Sequence, residues 1–419
     1  MDMDLLAAKV SELAGFVWNG LLLYLLVGTG IIFTIRTRFI QVRKFGAGFR
    51  RLFGSVNLNG EKAGKEGMSS FQAVATSIAA QVGTGNITGC ATAMFWMGLA
   101  AFFGMATIYG EAVLAQTFKT KDETGHVIGG PVYYIRQAFK GTFGKILAGF
   151  FALAIIFALG FTGNMVQSNA ISNAFQEALG IPTWIVGVVL AVVAAFIFLG
   201  GVTRIAAVTE KLVPVMACFY LVGGLVMLIA NITNLPHAFA LIFEGAFNPQ
   251  AILGGAVGIG VREAMRYGVA RGVFTNEAGL GSSAMAHAAA DVDEPAEEGM
   301  WGLFEVFIAT LLVCTVTALV ILVSGVYAPQ TALRAIQAGT VDSSMVGAAL
   351  SGAAFATVMG RWGGPFVAVC LLMFAFSSLL GWSYYGERGL EYLTGRGLTV
   401  KTLKHFGLGY AGGEWDGLA

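Results

Sequence analysis

Long apolar stretches recur along almost the whole of this sequence, and they limit the possible folds more than any other feature. A helix needs about 20 mostly apolar residues to cross the hydrocarbon of a bilayer. Runs of that kind lie near Gly15 to Ile35, Ser69 to Thr92, Phe95 to Phe118, Ile146 to Val166, Trp184 to Gly201, Leu212 to Ala230, Ala251 to Ala288, Met300 to Val326 and Gly364 to Tyr385. About nine transmembrane helices are predicted, and the fold class is an all-α polytopic membrane protein, because helices satisfy their own backbone in lipid. Composition agrees: 12% of the residues are charged, against about a quarter in a soluble domain. The lipid bilayer is therefore the expected surroundings. With a net charge of +1, the chain lacks the basic stripe that nucleic-acid binding requires, and no nucleic acid is expected as a partner.

The distribution of Lys and Arg sets the direction of crossing, since cytoplasmic loops retain positive charge. Arg36, Arg38, Arg43, Lys44, Arg50, Arg51, Lys62 and Lys65 fill the first connection, and Lys119, Lys121, Arg136, Lys140 and Lys145 the third. Arg204 and Lys211 lie in the fifth, and Arg388, Arg396, Lys401 and Lys404 follow the last span; the opposite side holds Lys9, Arg334 and Arg361. The N-terminus is predicted outside and the C-terminus in the cytoplasm of a multi-pass inner-membrane protein. The start, Met1-Asp2-Met3-Asp4, is acidic where a cleaved leader would be basic, so the first span is expected to stay. Between Asn86 and Thr107 almost nothing is polar. The turn joining the second and third spans is expected between Thr92 and Gly98, because one helix from Ser69 to Phe118 would be about 75 Å long.

Two stretches break the apolar pattern. Gln81-Val82-Gly83-Thr84-Gly85-Asn86-Ile87-Thr88-Gly89 lies within the second span and Gly272-Val273-Phe274-Thr275-Asn276-Glu277-Ala278-Gly279-Leu280-Gly281 within the seventh. Glycine costs a helix about 1 kcal/mol relative to alanine, and irregular backbone at membrane depth survives only where it is buried in protein or lines a cavity. Each stretch is predicted to interrupt its helix; close packing through small residues is the alternative. Four spans separate the two, so they cross in opposite directions, the pattern that marks a secondary transporter's binding site. Each interruption leaves amides bare at one half-helix end and carbonyls at the other. The first suit a carboxylate, the second a sodium ion or an ammonium group.

Other polar groups at membrane depth have two readings each. Gln167 closes the fourth span and either reaches a cavity or marks a wet helix end. Ser377 and Ser378 could bond back to their own helix, and Trp382, one turn on, could anchor at the interface or face the site. Glu111, Glu277 and Glu305 are intramembrane carboxylates and so functional suspects. Glu111 reads as a structural partner of Arg or Lys. Glu277 follows Arg262, Arg266 and Arg271 and could pair with one, bind a cation or titrate. Cys90, Cys218, Cys314 and Cys370 sit in apolar runs and read as small buried hydrophobes. His126, His237 and His405 fall in connections or the tail, and His287 ends an apolar run; no metal cluster, nucleophile–base pair or phosphate loop is visible, and no enzyme is expected.

Gln81 to Asn86 (QVGTGN), Gly129 to Ile135 (GGPVYYI), Gly268 to Gly281 (GVARGVFTNEAGLG) and Gly381 to Arg388 (GWSYYGER) occur in that order and resemble the alanine or glycine:cation symporter family from about Gly15 to Leu393. The resemblance implies a LeuT-type inverted-repeat transporter fold carrying a small neutral amino acid, alanine or glycine, with sodium as coupling ion and no bound cofactor. It also implies that Gln81, Thr84, Gly85, Gln167, Asn276, Ser378 and Trp382 line the amino-acid site, and that backbone around Gly83 with Ser377 and Ser378 holds the cation. Residues 1–393 would form one transporter domain: an extra N-terminal helix and cytoplasmic loop (15–66), a first repeat (67–230) and a second repeat (251–393), before a polar cytoplasmic tail (394–419). The family's Gly-Gly-Pro turn is missing between the second and third helices, and two helices that usually follow the Gly-Trp-Ser-Tyr-Tyr motif are missing too, so the second repeat is expected to be incomplete. Proton coupling through Glu277, or a transport-incompetent homologue or sensor that binds amino acid, are the alternatives. Nothing in the sequence fixes an oligomeric state.

Overall fold

The computed structural model describes residues 3–54, 68–87, 94–121, 127–247, 261–327 and 347–394. Helices α1 (Met3–Phe16) and α2 (Leu23–Arg36) run on through a wide turn, and α3 (Ile40–Arg43) and the amphipathic α4 (Phe45–Gly54) follow. Next come α5 (Ser70–Gln81), α6 (Thr84–Ile87), α7 (Met94–Thr117), a two-stranded ribbon of β1 (Thr120–Lys121) and β2 (Val127–Ile128), and α8 (Pro131–Ala138). Helices α9 (Thr142–Ile155) and α10 (Asn164–Leu179) are joined by a π-helical stretch, and α11 (Thr183–Phe198), α12 (Gly201–Ala230) and α13 (Leu235–Phe247) complete the first half. The second half has α14 (Val261–Asn276), α15 (Ser283–Ala288), α16 (Pro295–Val306), α17 (Thr315–Val323), α18 (Gly347–Met359) and α19 (Gly363–Thr394).

Among the described residues, five helical stretches are long and apolar enough to cross a membrane: Met94–Thr117, Thr142–Leu179, Thr203–Ala230, Pro295–Val323 and Gly347–Thr394. The last is a hairpin: Gly360 adopts a φ of +58°, a conformation L side chains avoid, and turns α18 back along α19, where Gly352 meets Gly364. Leu23–Arg36 and Thr183–Phe198 are shorter apolar helices, and the two interrupted spans account for the rest of the expected pattern. Helix α11 shows how the chain meets lipid. Trp184, Val188, Val192 and Phe196 are exposed at four-residue spacing, while Val186, Leu190, Ala194 and Ile197 are buried. A soluble helix would put polar residues on the outer stripe.

Some sequence expectations need correction. Helix α7 is already wound at Met94, so the turn expected between Thr92 and Gly98 does not fall within 94–98; residues 88–93, with Cys90, lie outside those described. Helices α13 and α18 were not expected, because each has only 13 residues, too few for a full span. Cys218 is exposed on the lipid-facing surface instead of buried, unlike Cys314 and Cys370.

The two interrupted spans lie side by side and antiparallel. Met68, just before α5, donates its N–H to Ala289 O and accepts from Asp291 N, just beyond α15. At the other end, Arg271 and Thr275 on α14 meet Gly85 on α6. The segment before the first interruption thus pairs with the one after the second, and the reverse, which requires opposite directions of travel.

Candidate functional site

The first interruption arises from two rerouted backbone amides. Val82 N still donates to Ile78 O at 2.8 Å. Beyond it, Gly83 N donates to Asn86 Oδ1 at 3.0 Å and Thr84 N to Gln167 Oε1 at 3.1 Å. In a continuous helix these two amides would go to Ala79 O and Ala80 O. Ala79 O instead accepts from Ser377 Oγ at 3.2 Å and Ser378 Oγ at 3.1 Å. Both hydroxyls also bond back to Phe374 O on α19. Gly83 is required here: a Cβ would lie 2.5 Å from Ser378 Oγ and 2.8 Å from Gln167 Nε2. Past the gap, Gly85 O accepts from Arg271 Nη2 at 3.1 Å, Asn86 O from Thr317 Oγ1 at 2.7 Å and Ile87 O from Ser351 Oγ at 2.6 Å. The loosened carbonyls at membrane depth are therefore met by side chains.

The second interruption is longer and carries charge. Glu277 N closes α14 on Val273 O, and Glu277 itself has a φ of +55°, a left-handed conformation that costs a non-glycine residue about 1–2 kcal/mol. Its side chain is tied down at both oxygens: Trp382 Nε1 donates to Oε1 at 2.5 Å, and Ser282 Oγ donates to Oε2. Asn276 Oδ1 accepts from Ala278 N at 3.0 Å. Glu111, on α7, lies against the backbone amides of Gly279 and Gly281, which adopt φ of +91° and +76°.

Burial gathers most of the candidate residues. Gln81, Thr84, Gln167, Asn276, Glu277, Ser377, Ser378 and Trp382 are all buried. Gln167, Gly83, Thr84 and Ser378 form one contact group; Trp382 joins Glu277 and stacks edge-on to Phe274 at 6.3 Å. Gly85 faces Phe274 and Thr275. Asn276 stands apart, facing Gly104 on α7. It lines a cleft of about 10 Å³ between α2, α7 and α14, with Leu26, Ala100, Gly104 and Thr107, room for a water at most. Gln167 is therefore no wet helix end, and Trp382 no interfacial anchor.

One further expectation is corrected, and two open readings gain definite partners. Glu111 meets the amides of the second interruption instead of an Arg or Lys. The Glu277 carboxylate is taken by Trp382 and Ser282, and Arg271 reaches Gly85 O. His287 does more than end an apolar run: its Nδ1 lies 2.8 Å from Glu298 Oε1 and its Nε2 2.9 Å from Glu305 Oε2. Glu305 Oε1 in turn accepts from Gln81 Nε2 at 2.9 Å. Sequence reading missed this group because His287, Glu298 and Glu305 reach it from two helices. Their recurrence at 11 and 18 residues carries no signature; the signal available was a titratable residue at membrane depth. At the end of α15, Gln116 Nε2 donates to Ala290 O at 2.8 Å and Lys119 Nζ to the same oxygen at 3.0 Å, closing α15 with a positive charge, as a helix C-terminus favours. Burial pushes the Lys119 ammonium down, with Asp291 and Glu298 opposing.

Two antiparallel broken spans, with buried oxygen ligands between them, are what a carrier of a small charged solute needs, and comparison with known proteins gives the lineage. Residues 3–411 match the profile of the sodium:alanine symporter family. The chain belongs to that family. It is 41% identical to the sodium/alanine symporter AgcS of Methanococcus maripaludis, over 92% of this chain and 83% of that one. It is 37% identical to a putative sodium/proton-dependent alanine carrier, YrbD, of Bacillus subtilis, over 93% and 79%. A probable sodium/glutamine symporter of the same organism, GlnT, is 37% identical over 90% and 75%. The family is one of transporters, not enzymes, and sodium is its coupling ion. This member is a multi-pass membrane protein of the amino-acid symporter type.

Proposed function

We propose that this protein imports a small neutral amino acid, alanine or glycine, together with sodium across the cell membrane, with its N-terminus outside and its C-terminus in the cytoplasm. One observation carries the reading: Ala79 O, deprived of its helical amide, lies against the hydroxyls of Ser377 and Ser378 beside Gly83. Carbonyl and hydroxyl oxygens are the ligands a hard cation prefers, so Gly83, Ser377 and Ser378 form the cation position. The amino acid lies next to it, against Gln81, Thr84, Gly85, Gln167, Ser378 and Trp382, with Trp382 and Phe274 limiting its side chain to a small one; Asn276, which faces Gly104 instead, stays outside this group. Residues 67–230 and 251–393 act as the two repeats that rock around this point, after the 15–66 extension. Sodium bound at Gly83 favours the outward-open state, and closure around both solutes lets the site reopen inward.

The test is uptake of labelled alanine into proteoliposomes under an inward sodium gradient. Uptake that persists unchanged when choline replaces sodium rejects the reading. Proton coupling is the second reading, favoured by the buried Glu277 carboxylate at the interruption and by the sodium/proton-dependent relative. A Glu277→Gln variant that keeps the full pH dependence of uptake removes it.

A further inference from the structure

The amide of Gln81 is held from one side. Its Nε2 donates to Ser283 Oγ at 3.1 Å and to Glu305 Oε1 at 2.9 Å. Behind Glu305 stands His287, and behind His287 stands Glu298, at 2.9 and 2.8 Å; all three side chains are 0% exposed. A carboxylate accepts hydrogen bonds and does not donate them, and an imidazole with both nitrogens facing carboxylates matches them fully only when both carry protons. In that state the imidazolium donates to Glu298 and Glu305, and Glu305 Oε1 is left to accept from Gln81 Nε2. The Gln81 amide must present its NH₂ to Glu305 and cannot flip without setting oxygen against oxygen. Its own oxygen, Oε1, is left buried with no hydrogen-bond partner among the described residues. A buried bare acceptor is costly unless something supplies the donor.

We propose that Glu305, anchored by His287 and Glu298, is a positioning residue that keeps Gln81 Oε1 turned toward the transported amino acid, where it accepts from the ammonium group. The proposal rests on the functional reading above. An ammonium is a donor only, so a site that presents the amide nitrogen in place of the oxygen would repel it. Glu305 thereby sets the preference for amines without touching the solute.

The experiment compares Glu305→Gln with Glu305→Asp in proteoliposomes, reading KM for alanine, maximal rate and half-saturating sodium. E305Q keeps the size of the side chain but can offer either an oxygen or an NH₂ to Gln81; E305D is shorter but accepts only. The expected result is a KM for alanine raised about tenfold in E305Q, the worth of one hydrogen bond to a charged group. E305D should stay nearer wild type, and half-saturating sodium should hold in both. A role in packing alone reverses the order, with the isosteric E305Q the milder variant, and that order overturns the proposal, as does an unchanged KM in E305Q. If E305Q does not give a monodisperse protein, His287→Gln is read in its place: a raised KM at constant half-saturating sodium supports the proposal and an unchanged KM overturns it. Wild-type protein without sodium-dependent alanine uptake overturns the functional reading instead, so the two fail separately.

Discussion

At the first interruption the loosened backbone is met mostly by neutral groups: the amides of Asn86 and Gln167 and the hydroxyls of Ser377, Ser378, Thr317 and Ser351, with Arg271 at one carbonyl. At the second, carboxylates take over, with Glu277 held by Trp382 and Ser282 and Glu111 set against two glycine amides. The difference separates two tasks. A neutral hydroxyl or amide can exchange one partner for another at small cost, about 1 kcal/mol per hydrogen bond, so the first interruption suits solutes that arrive and leave. A buried carboxylate that loses its partner costs several times more, so the second interruption suits a fixed hinge. Its longer gap and left-handed Glu277 fit that division.

Five substitutions test the division. The largest effect is expected at Gly83, where Gly83→Val drives a branched side chain into Ser378 and Gln167. Overpacking of this kind costs about 1–3 kcal/mol, and placed wholly on transport it lowers alanine uptake up to about 100-fold; near-normal uptake would mean that solutes do not pass the first interruption. Glu277→Gln comes next. An amide keeps its oxygen for Trp382 and turns its NH₂ to Ser282, so two charge-assisted hydrogen bonds become neutral ones, and the loss of about 2 kcal/mol is expected as a lower thermal-unfolding midpoint in detergent. A midpoint equal to wild type would break the contrast, since it would make the charged interruption no more structural than the neutral one.

Ser378→Ala removes one oxygen from the proposed cation position and should raise half-saturating sodium about tenfold, leaving maximal uptake at saturating sodium within a few-fold. If half-saturating sodium does not move in either Ser377→Ala or Ser378→Ala, the hydroxyls only pin α19 to α5. The smallest change is expected for Gln116→Leu, which takes one donor from the carbonyls at the end of α15. Other donors remain, Lys119 among them, so a loss of about 1 kcal/mol in stability with unaltered KM is expected. A shift in KM would show that the end of α15 moves during transport.

Much of this arrangement was legible beforehand. The membrane class followed from apolar length, and both interruptions followed from glycines set among amides and hydroxyls, since such residues weaken a helix wherever it lies. Gln167, Ser377, Ser378 and Trp382 were legible as polar groups with two readings; only the fold chose between them, by bringing α10 and α19 against Gly83 and Glu277. Helices α13 and α18 escaped notice because a 13-residue apolar helix has no length signal. Glu111 was misassigned because charge pairing is guessed from neighbours in sequence, whereas what it lies against is the backbone of Gly279 and Gly281, between α14 and α15.

What the sequence determined alone is what depends on local chemistry: where the chain must leave water and where it cannot stay helical. Partner choice belongs to tertiary structure. Whether Glu305 meets His287 and Gln81, or Glu277 an indole instead of a guanidinium, depends on how helices distant in sequence rotate against one another. A hydrogen bond forms only at about 3 Å and near-linear geometry, a placement the order of residues does not encode.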